Sequence, residues 1–256
     1  MTYESVSVVI PYFHDHETIE AALDSVFAQS LRPSEVILVS DTGGHDPRFD
    51  EICNVYTEKS SCELVAICNL KNSGPGFARN LGVAAASCSY LAFLDSDDQW
   101  NLNHLEKAVS SIQCGDFIGL SMRDGNRFRI LSSNTFLPLL LVNPYVTSAT
   151  LLKREVFQRS LRFAESFNFA EDYYLWLSIA RDYGVRSLPV VRAPCSGVYN
   201  IQRRRGLSSD SKSVLKGTIS ALAKVFLEEN KSRSKTYFVI GFACAWFRYA
   251  IKEILK

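Results

Sequence analysis

Apolar residues in the first hundred positions fall in short, near-continuous runs that alternate with stretches of helical spacing. Ser5–Ile10, Glu35–Ser40, Leu64–Cys68 and Tyr90–Leu94 have the length and continuity of strands buried on both faces. Between them, Glu17–Gln29 sets Ile19, Leu23, Val26 and Phe27 on one helical face, and Pro47–Thr57 and Gly76–Ala86 read as helices. Strands separated by helices of about 10–15 residues predict a parallel sheet with right-handed crossovers. The pattern loosens after Trp100. There the spacing predicts a helix over Asn101–Ile112, strands over Asp116–Ser121 and Arg127–Ile130, and an extended Thr147–Leu152. An amphipathic helix over Glu171–Tyr183 follows, then strands over Val185–Val191 and Gly197–Ile201. From about Ser211 the chain reads as two helices joined near Asn230–Ser234. The fold class is α/β: a doubly wound, mixed but mostly parallel sheet with C-terminal helices.

Composition narrows the function classes. The 256 residues suffice for one large domain with a sizeable core. A net charge of +1 gives no case for nucleic-acid binding. Strand-like sequence almost from Met1 predicts no signal peptide. No apolar run reaches the roughly 20 residues that span a bilayer. The longest, Tyr237–Phe247, is flanked by Lys235 and Arg248 and reads as a buried helix in preference to one lying on a membrane surface. Seven cysteines without a Cys-X-X-Cys pair imply a reduced, cytoplasmic chain, with residues such as Cys68 and Cys244 serving as small core side chains.

The run Tyr90–Trp100 carries the strongest chemical signal. A buried strand ends in Asp95-Ser96-Asp97-Asp98, which aims clustered carboxylates into the crevice at the carboxyl edge of the sheet. Close carboxylates repel and are costly to desolvate, so they commonly share a cation, and hard oxygen donors suit Mg²⁺ or Mn²⁺ together with substrate phosphates. The competing explanation is electrostatic support for the N-terminus of the helix predicted from Asn101. Three other strand ends deliver polar residues to the same edge: Pro11-Tyr12-Phe13-His14-Asp15, Asp41-Thr42-Gly43-Gly44, and Asn72-Ser73-Gly74-Pro75-Gly76-Phe77-Ala78-Arg79. An aromatic ring there can stack on a base, an Asp can accept from its N–H, Gly74 and Gly76 admit close backbone approach, and Arg79 can meet a phosphate or brace the acids. His14-Asp15-His16 has the spacing of metal ligands but no partner motif nearby, so these histidines read as neighbours of the nucleotide pocket. His104 reads as a helix-surface residue in preference to one lining the acceptor cleft.

The segments VSVVIPYFHDHETIEAALDSVFAQ, EVILVSDTGG, NSGPGFARNLGVAAASCSYLAFLDSDDQW and AEDYYLWLSIA resemble the family 2 glycosyltransferases over roughly residues 5–205. That resemblance implies an inverting enzyme of the glycosyltransferase A-type fold, whose Rossmann-like nucleotide half is joined to an acceptor half. It places Pro11, Phe13 and Asp41 around the uracil of a UDP-sugar, with Tyr12, Asp15, Asn72, Gly74 and Ser96 in the same donor-binding segments. It sets Arg79 ahead of the acid cluster, gives Asp95 and Asp97 to ribose and a divalent metal (Mn²⁺ or Mg²⁺), and makes Asp172 the catalytic base. Asp98, Trp100 and Glu171 are support or acceptor-side candidates. Arg203 and Arg205 lie where many members carry a phosphate-facing loop.

Departures from the family pattern bear on the base more than on catalysis. Phe13-His14 stands where Tyr-Asn is usual, Asp41-Thr42 where Asp-Asp is usual, and Gly206 where processive synthases carry Trp. The implied division is a donor half over 1–100, an acceptor and catalytic half over 101–210, and a helical tail over 211–256. The implied reaction moves a hexose or N-acetylhexosamine to a glycan or lipid-linked glycan in bacterial surface polysaccharide or lipopolysaccharide synthesis. The expected place is cytoplasmic, with the basic, aromatic tail a candidate for contact with the inner face of the membrane. A non-catalytic nucleotide-sugar-binding relative is the alternative. A sugar nucleotidyltransferase ranks lower, because Pro11–His16 lacks the glycine-rich phosphate loop such an enzyme needs after its first strand.

Overall fold

A computed structural model describes residues 5–59, 62–111, 117–119, 140, 143, 145–158, 161–183, 198–200, 210–228 and 234–254. Strands β1 (Val6–Tyr12), β2 (Glu35–Ser40), β3 (Glu63–Cys68) and β4 (Tyr90–Phe93) alternate with helices α1 (Ile19–Phe27), α2 (Pro47–Lys59) and α3 (Pro75–Ala85). After the short β5 (Asp98–Trp100) come α4 (His104–Ser111), β6 (Phe117–Gly119), a 3₁₀ turn (Thr147–Ala149), β7 (Thr150–Lys153) and α5 (Glu155–Gln158). The chain ends with α6 (Glu171–Tyr183), β8 (Val198–Asn200), α7 (Ser211–Glu228) and α8 (Ser234–Ile254). The strands predicted over Arg127–Ile130 and Val185–Val191 lie outside the described residues.

Six strands form one sheet in the order β3-β2-β1-β4-β7-β6. The first four are parallel, and β7 and β6 add antiparallel pairs, so the second half of the chain completes the sheet begun by the first. Strand order reverses between β1 and β4, and a doubly wound sheet opens its ligand crevice at that point. Every residue of β2 and β4 is buried, because cores lie on both faces of the sheet. Val9, Ile37, Val39, Leu91 and Phe93 face α3, α6, α7 and α8, while Val8, Ile10, Val36, Leu38 and Ala92 face α1, α2 and α4. The period-two alternation of strand side chains makes this division.

Two local expectations fail for identifiable reasons. Cys68 is exposed, because β3 is the sheet's edge strand and its outward positions meet solvent. His104 is buried and stacks on Trp100 with centroids 4.5 Å apart, so it belongs to the packing under β5. Desolvation holds its imidazole neutral, with the pKa pushed down to about 3. The tail packs on the body: Leu222, Val225 and Phe238 are fully buried in the core that α6 shares.

Helix α3 lies so close to β1 that a side chain at Gly82 has no room. A Cβ there would stand 2.4 Å from Val9 Cγ1 and 3.3 Å from Val39 Cγ2. Both valines are fully buried and stiff at χ1. Gly82→Ala is therefore expected to destabilise the fold by about 1–3 kcal/mol through overpacking, against a gain of about 1 kcal/mol in helix propensity. Urea denaturation measures it, and an unchanged or raised midpoint would refute the close packing of α3.

Candidate functional site

The end of β4 and the start of α3 meet the start of α6 at Arg79. This guanidinium is 5% exposed and forks between two carboxylates: Nη2 donates to Asp95 Oδ1 at 2.7 Å and Nη1 to Glu171 Oε1 at 2.6 Å. Its carbon lies 5.4 Å from the Phe163 ring centroid. Burial disfavours the cation, but Asp95 and Glu171 outweigh that and raise its pKa, so Arg79 stays charged. Gly76, one turn earlier, makes the approach of α6 possible. A Cβ there would sit 2.9 Å from the Ala164 carbonyl oxygen and 3.2 Å from Glu171 Cβ. The close neighbour that Gly76 admits is thus the α6 region of this chain, where the sequence suggested a ligand. Asn80 fixes the approach to α6, donating from Nδ2 to the Phe163 carbonyl at 3.0 Å and accepting from Phe163 N–H at 3.0 Å.

The three acids of the β4 exit have separate environments. Asp98 is buried in β5 and accepts from Ser148 Oγ at 2.6 Å. Asp95 gives one oxygen to Arg79, remains 32% exposed, and donates its backbone N–H to Ser148 Oγ at 3.0 Å. Asp97 is half-buried. The helix that these acids would cap begins only at His104, with β5 intervening, so the helix-electrostatic explanation fails. Asp95, partly exposed and giving one oxygen to Arg79, is a hard oxygen donor of the kind that Mg²⁺ or Mn²⁺ takes together with water and phosphate.

Asp172 stands beside Glu171 in the first turn of α6. Its Oδ2 accepts from Asn143 Nδ2 and Thr147 Oγ1, both at 3.3 Å. Burial and the neighbouring Glu171 raise its pKa to about 6, although Arg79 and its hydrogen bonds pull the other way. The residue before the pair, Ala170, has φ 60°, a left-handed conformation uncommon for alanine. Its carbonyl accepts the Tyr174 N–H at 3.1 Å, so the turn starts α6 with both acids in its first turn. Tyr173, Leu175 and Trp176 behind them are core residues.

Sequence reasoning missed the Thr147-Ser148 turn. Thr147 touches Asp172 and Ser148 touches Asp98 and Asp95, so adjacent hydroxyls tie the candidate base to the acid cluster. Trp100 secures the same turn by donating Nε1–H to the Ser148 carbonyl at 2.6 Å. Two hydroxyl residues opening an apolar strand were the available signal, and they were read as extended chain.

At the β2 exit, Asp41 is buried and accepts from Asn69 Nδ2 at 2.7 Å, Ser73 N–H at 3.0 Å and Gly74 N–H at 2.7 Å. These bonds hold the loop before α3, where Gly74 has φ 89°. Asn72 is exposed at that loop and its backbone nitrogen abuts Gly43. Tyr12 is fully buried and offers no ring face to a ligand, because its hydroxyl is drawn to His16 and Asp46. Phe13 is 48% exposed and presents the aromatic surface at this edge, after the half-buried Pro11. Asp15 accepts from Ser96 Oγ, linking the β1 and β4 exits. Arg203 and Arg205 lie outside the described residues. The antiparallel pairing of β8 places Asn200 opposite Asp98, three residues before Arg203 in sequence.

A family profile described as Glycosyl transferase family 2 matches residues 7–159. Among curated relatives, the UDP-Glc:alpha-D-GlcNAc-diphosphoundecaprenol beta-1,3-glucosyltransferase WfgD of Escherichia coli is 31% identical over 192 residues, 72% of each chain. The succinoglycan biosynthesis protein ExoW of Rhizobium meliloti is 38% identical over 110 residues, 42% of this chain and 34% of its own. Staphylococcus aureus TarS 1-349, solved with UDP-GlcNAc, superimposes with a TM-score of 0.72 at 18% identity, covering 95% of this chain and 73% of its own. The mannosyltransferase PcManGT of Pyrobaculum calidifontis, solved with GDP-Man and Mn²⁺, gives 0.70 at 17% identity over 100% and 77%. At that identity the two structures establish the fold, and the profile and the WfgD match establish kinship: this chain belongs to glycosyl transferase family 2.

Proposed function

We propose that this glycosyltransferase is metal-dependent and inverting, and moves a hexose or N-acetylhexosamine from a UDP-sugar to a glycan or lipid-linked glycan in bacterial surface polysaccharide assembly. The observation that carries the reading is the coupling of Asp172 to the acid cluster. A carboxyl with its pKa near 6 is joined to Asp95 through Glu171 and Arg79 and to Asp98 through the Thr147-Ser148 turn. The donor and acceptor class named for WfgD supports the substrate assignment.

Asp95 and Asp97 are the residues that would hold the dication, which as a Lewis acid stabilises charge on the departing diphosphate. Phe13 offers its exposed ring to the base. Asp41 shapes this pocket by fixing the Ser73-Gly74 backbone. Asp172 accepts the acceptor hydroxyl's proton as the new bond forms, on the face opposite the leaving group. Burial and then Glu171 raise the proton affinity of that base, and Arg79 limits the rise. On this reading residues 1–100 serve mainly the donor and residues 101–210 the acceptor. α7 and α8 cover the core, and exposed Leu227, Val239, Ile240 and Trp246 mark the tail's candidate contact with a membrane surface. Among the described residues no helix is long and apolar enough to cross a membrane.

UDP release from a panel of UDP-sugars, with acceptor and with Mn²⁺, Mg²⁺ or EDTA, tests the central reading. Turnover of one donor that EDTA abolishes and that Asp97→Ala loses is expected. Binding of UDP without turnover of any donor would favour the non-catalytic relative instead. The pH profile tests the base. Since the Asp172 carboxyl must be ionised to take a proton, kcat/KM should rise with pH through about 6 and level above it. Asp172→Asn should lose that limb and about 10²–10⁴-fold in rate. A profile unchanged in the variant would remove Asp172 from this role. For the tail, sedimentation with anionic but not neutral vesicles is expected, and Trp246→Ala should weaken it; equal recovery with both vesicle types would refute the contact.

A further inference from the structure

A second cluster of ligating side chains lies on the other flank of the β1 exit loop. His14 and His16 leave that loop, and Asp46 comes from the turn that opens α2. One donor atom from each falls within 4.8 Å of the others. We infer that His14, His16 and Asp46 form a further cation site, distinct from Asp95 and Asp97, that takes a borderline transition-metal dication of the Zn²⁺ class.

The donor set determines the class of ion. Two imidazoles and one carboxylate suit Zn²⁺ and its neighbours, whereas the all-oxygen pair Asp95 and Asp97 suits Mg²⁺ or Mn²⁺. The spacing is close to what such an ion needs. Bonds of about 2.0–2.1 Å in a tetrahedron hold neighbouring ligand atoms about 3.3 Å apart, and His14 Nδ1 already stands 3.5 Å from Asp46 Oδ2. The remaining contraction falls to imidazoles that are exposed. A fourth position faces an open cleft of about 410 Å³ lined also by Thr42, Gly43 and Gly44.

The surrounding hydrogen bonds prepare the ligands. The Tyr12 hydroxyl bridges two of the three ligands, lying 2.8 Å from His16 Nδ1 and 3.2 Å from Asp46 Oδ2. A ligating histidine anchored through its other nitrogen is the usual arrangement in metal sites. The backbone N–H groups of Arg48 and Phe49 hold Asp46 Oδ1 at 3.0 and 3.3 Å, with Oδ2 toward Tyr12 and His14.

Backbone geometry agrees. His14 has φ 56°, one of two positive-φ non-glycine residues among those described; the other is Ala170 at the catalytic helix. Strain held in a well-packed protein tends to mark functional positions. The plainer explanation, an ion pair of His14 with the α2 cap and a hydrogen bond of His16 to Tyr12, accounts for each imidazole singly but not for the convergence of both on Asp46. The remaining histidine of the cleft, His45, is turned to Asp50 at 3.1 Å and is not part of the set.

The test titrates the full chain, stripped with EDTA and exchanged into metal-free buffer, with Zn²⁺ by calorimetry and with Co²⁺ by visible absorption. One saturable equivalent is expected without nucleotide, together with a rise in Tm. His14→Ala and His16→Ala should each weaken Zn²⁺ binding at least tenfold, and Tyr12→Phe should weaken it while keeping the ring. Asp97→Ala should bind Zn²⁺ as the wild type does, which separates this site from the one proposed for the donor. Both histidines are exposed, so equal metal-free melting curves confirm that the variants fold. Absence of saturable Zn²⁺ binding, equal binding by His16→Ala, or loss in Asp97→Ala would each overturn the assignment.

Discussion

The buried fork of Arg79 is the constraint on which the site depends. A guanidinium this deep must be paired, because an uncompensated buried charge costs several kcal/mol. Its partners come from distant parts of the chain, Asp95 at the end of β4 and Glu171 at the start of α6. Satisfying one cation therefore fixes the acid cluster relative to the helix that carries Asp172. The requirement propagates outward: Gly76 must lack a side chain for α6 to come near, Asn80 must hold the Phe163 backbone, and Phe163 must cover the guanidinium. A buried ion pair of this kind is poor evidence of stability in itself, since apolar replacements often stabilise more. Its value lies in position.

Environment makes chemically identical acids do different work. Asp95, Asp97 and Asp98 are near neighbours in sequence, yet Asp98 turns into β5 and bonds Ser148, Asp95 shares itself between Arg79 and the crevice, and Asp97 stays half-open. Glu171 and Asp172 divide likewise. Glu171 is paired with Arg79, whereas burial and then the charge of Glu171 raise the proton affinity of Asp172.

The parts of this structure legible in the sequence are those dictated by short-range patterns. Strand β2 and helix α6 fall on their predicted bounds, because a continuous apolar run and a 3.6-residue spacing leave little choice. The acid cluster at a strand end was legible for the same reason. What escaped depends on partners far along the chain. Strand β5 is three residues long and exists through its pairing with β8, 100 residues away. The roles of Ser148 and Thr147 arise only when β7 joins the sheet beside β4. His104 and Cys68 were misjudged because burial is decided by which neighbour covers a position, and Trp100 covers the first while edge placement uncovers the second. Tyr12 turned inward because Asp46 and His16 supply partners that no local pattern announces.

The β1 exit loop shows how a short segment can serve two regions at once. Asp15 turns to Ser96 at the β4 exit, whereas His14 and His16 turn to Asp46. Asp15 is held by Ser96 of the acid cluster, and His16 is held by Tyr12 on the opposite flank. The loop is thereby pinned from both sides over four residues, and the left-handed backbone at His14 is the local cost of that alternation. Pinning of this kind suits a surface on which a planar base must stack, because an exposed ring such as Phe13 gives a defined face only when the backbone beneath it is fixed. The same geometry requires that any change in how His14 and His16 are held be felt at Phe13 and Asp15, their immediate neighbours in the chain.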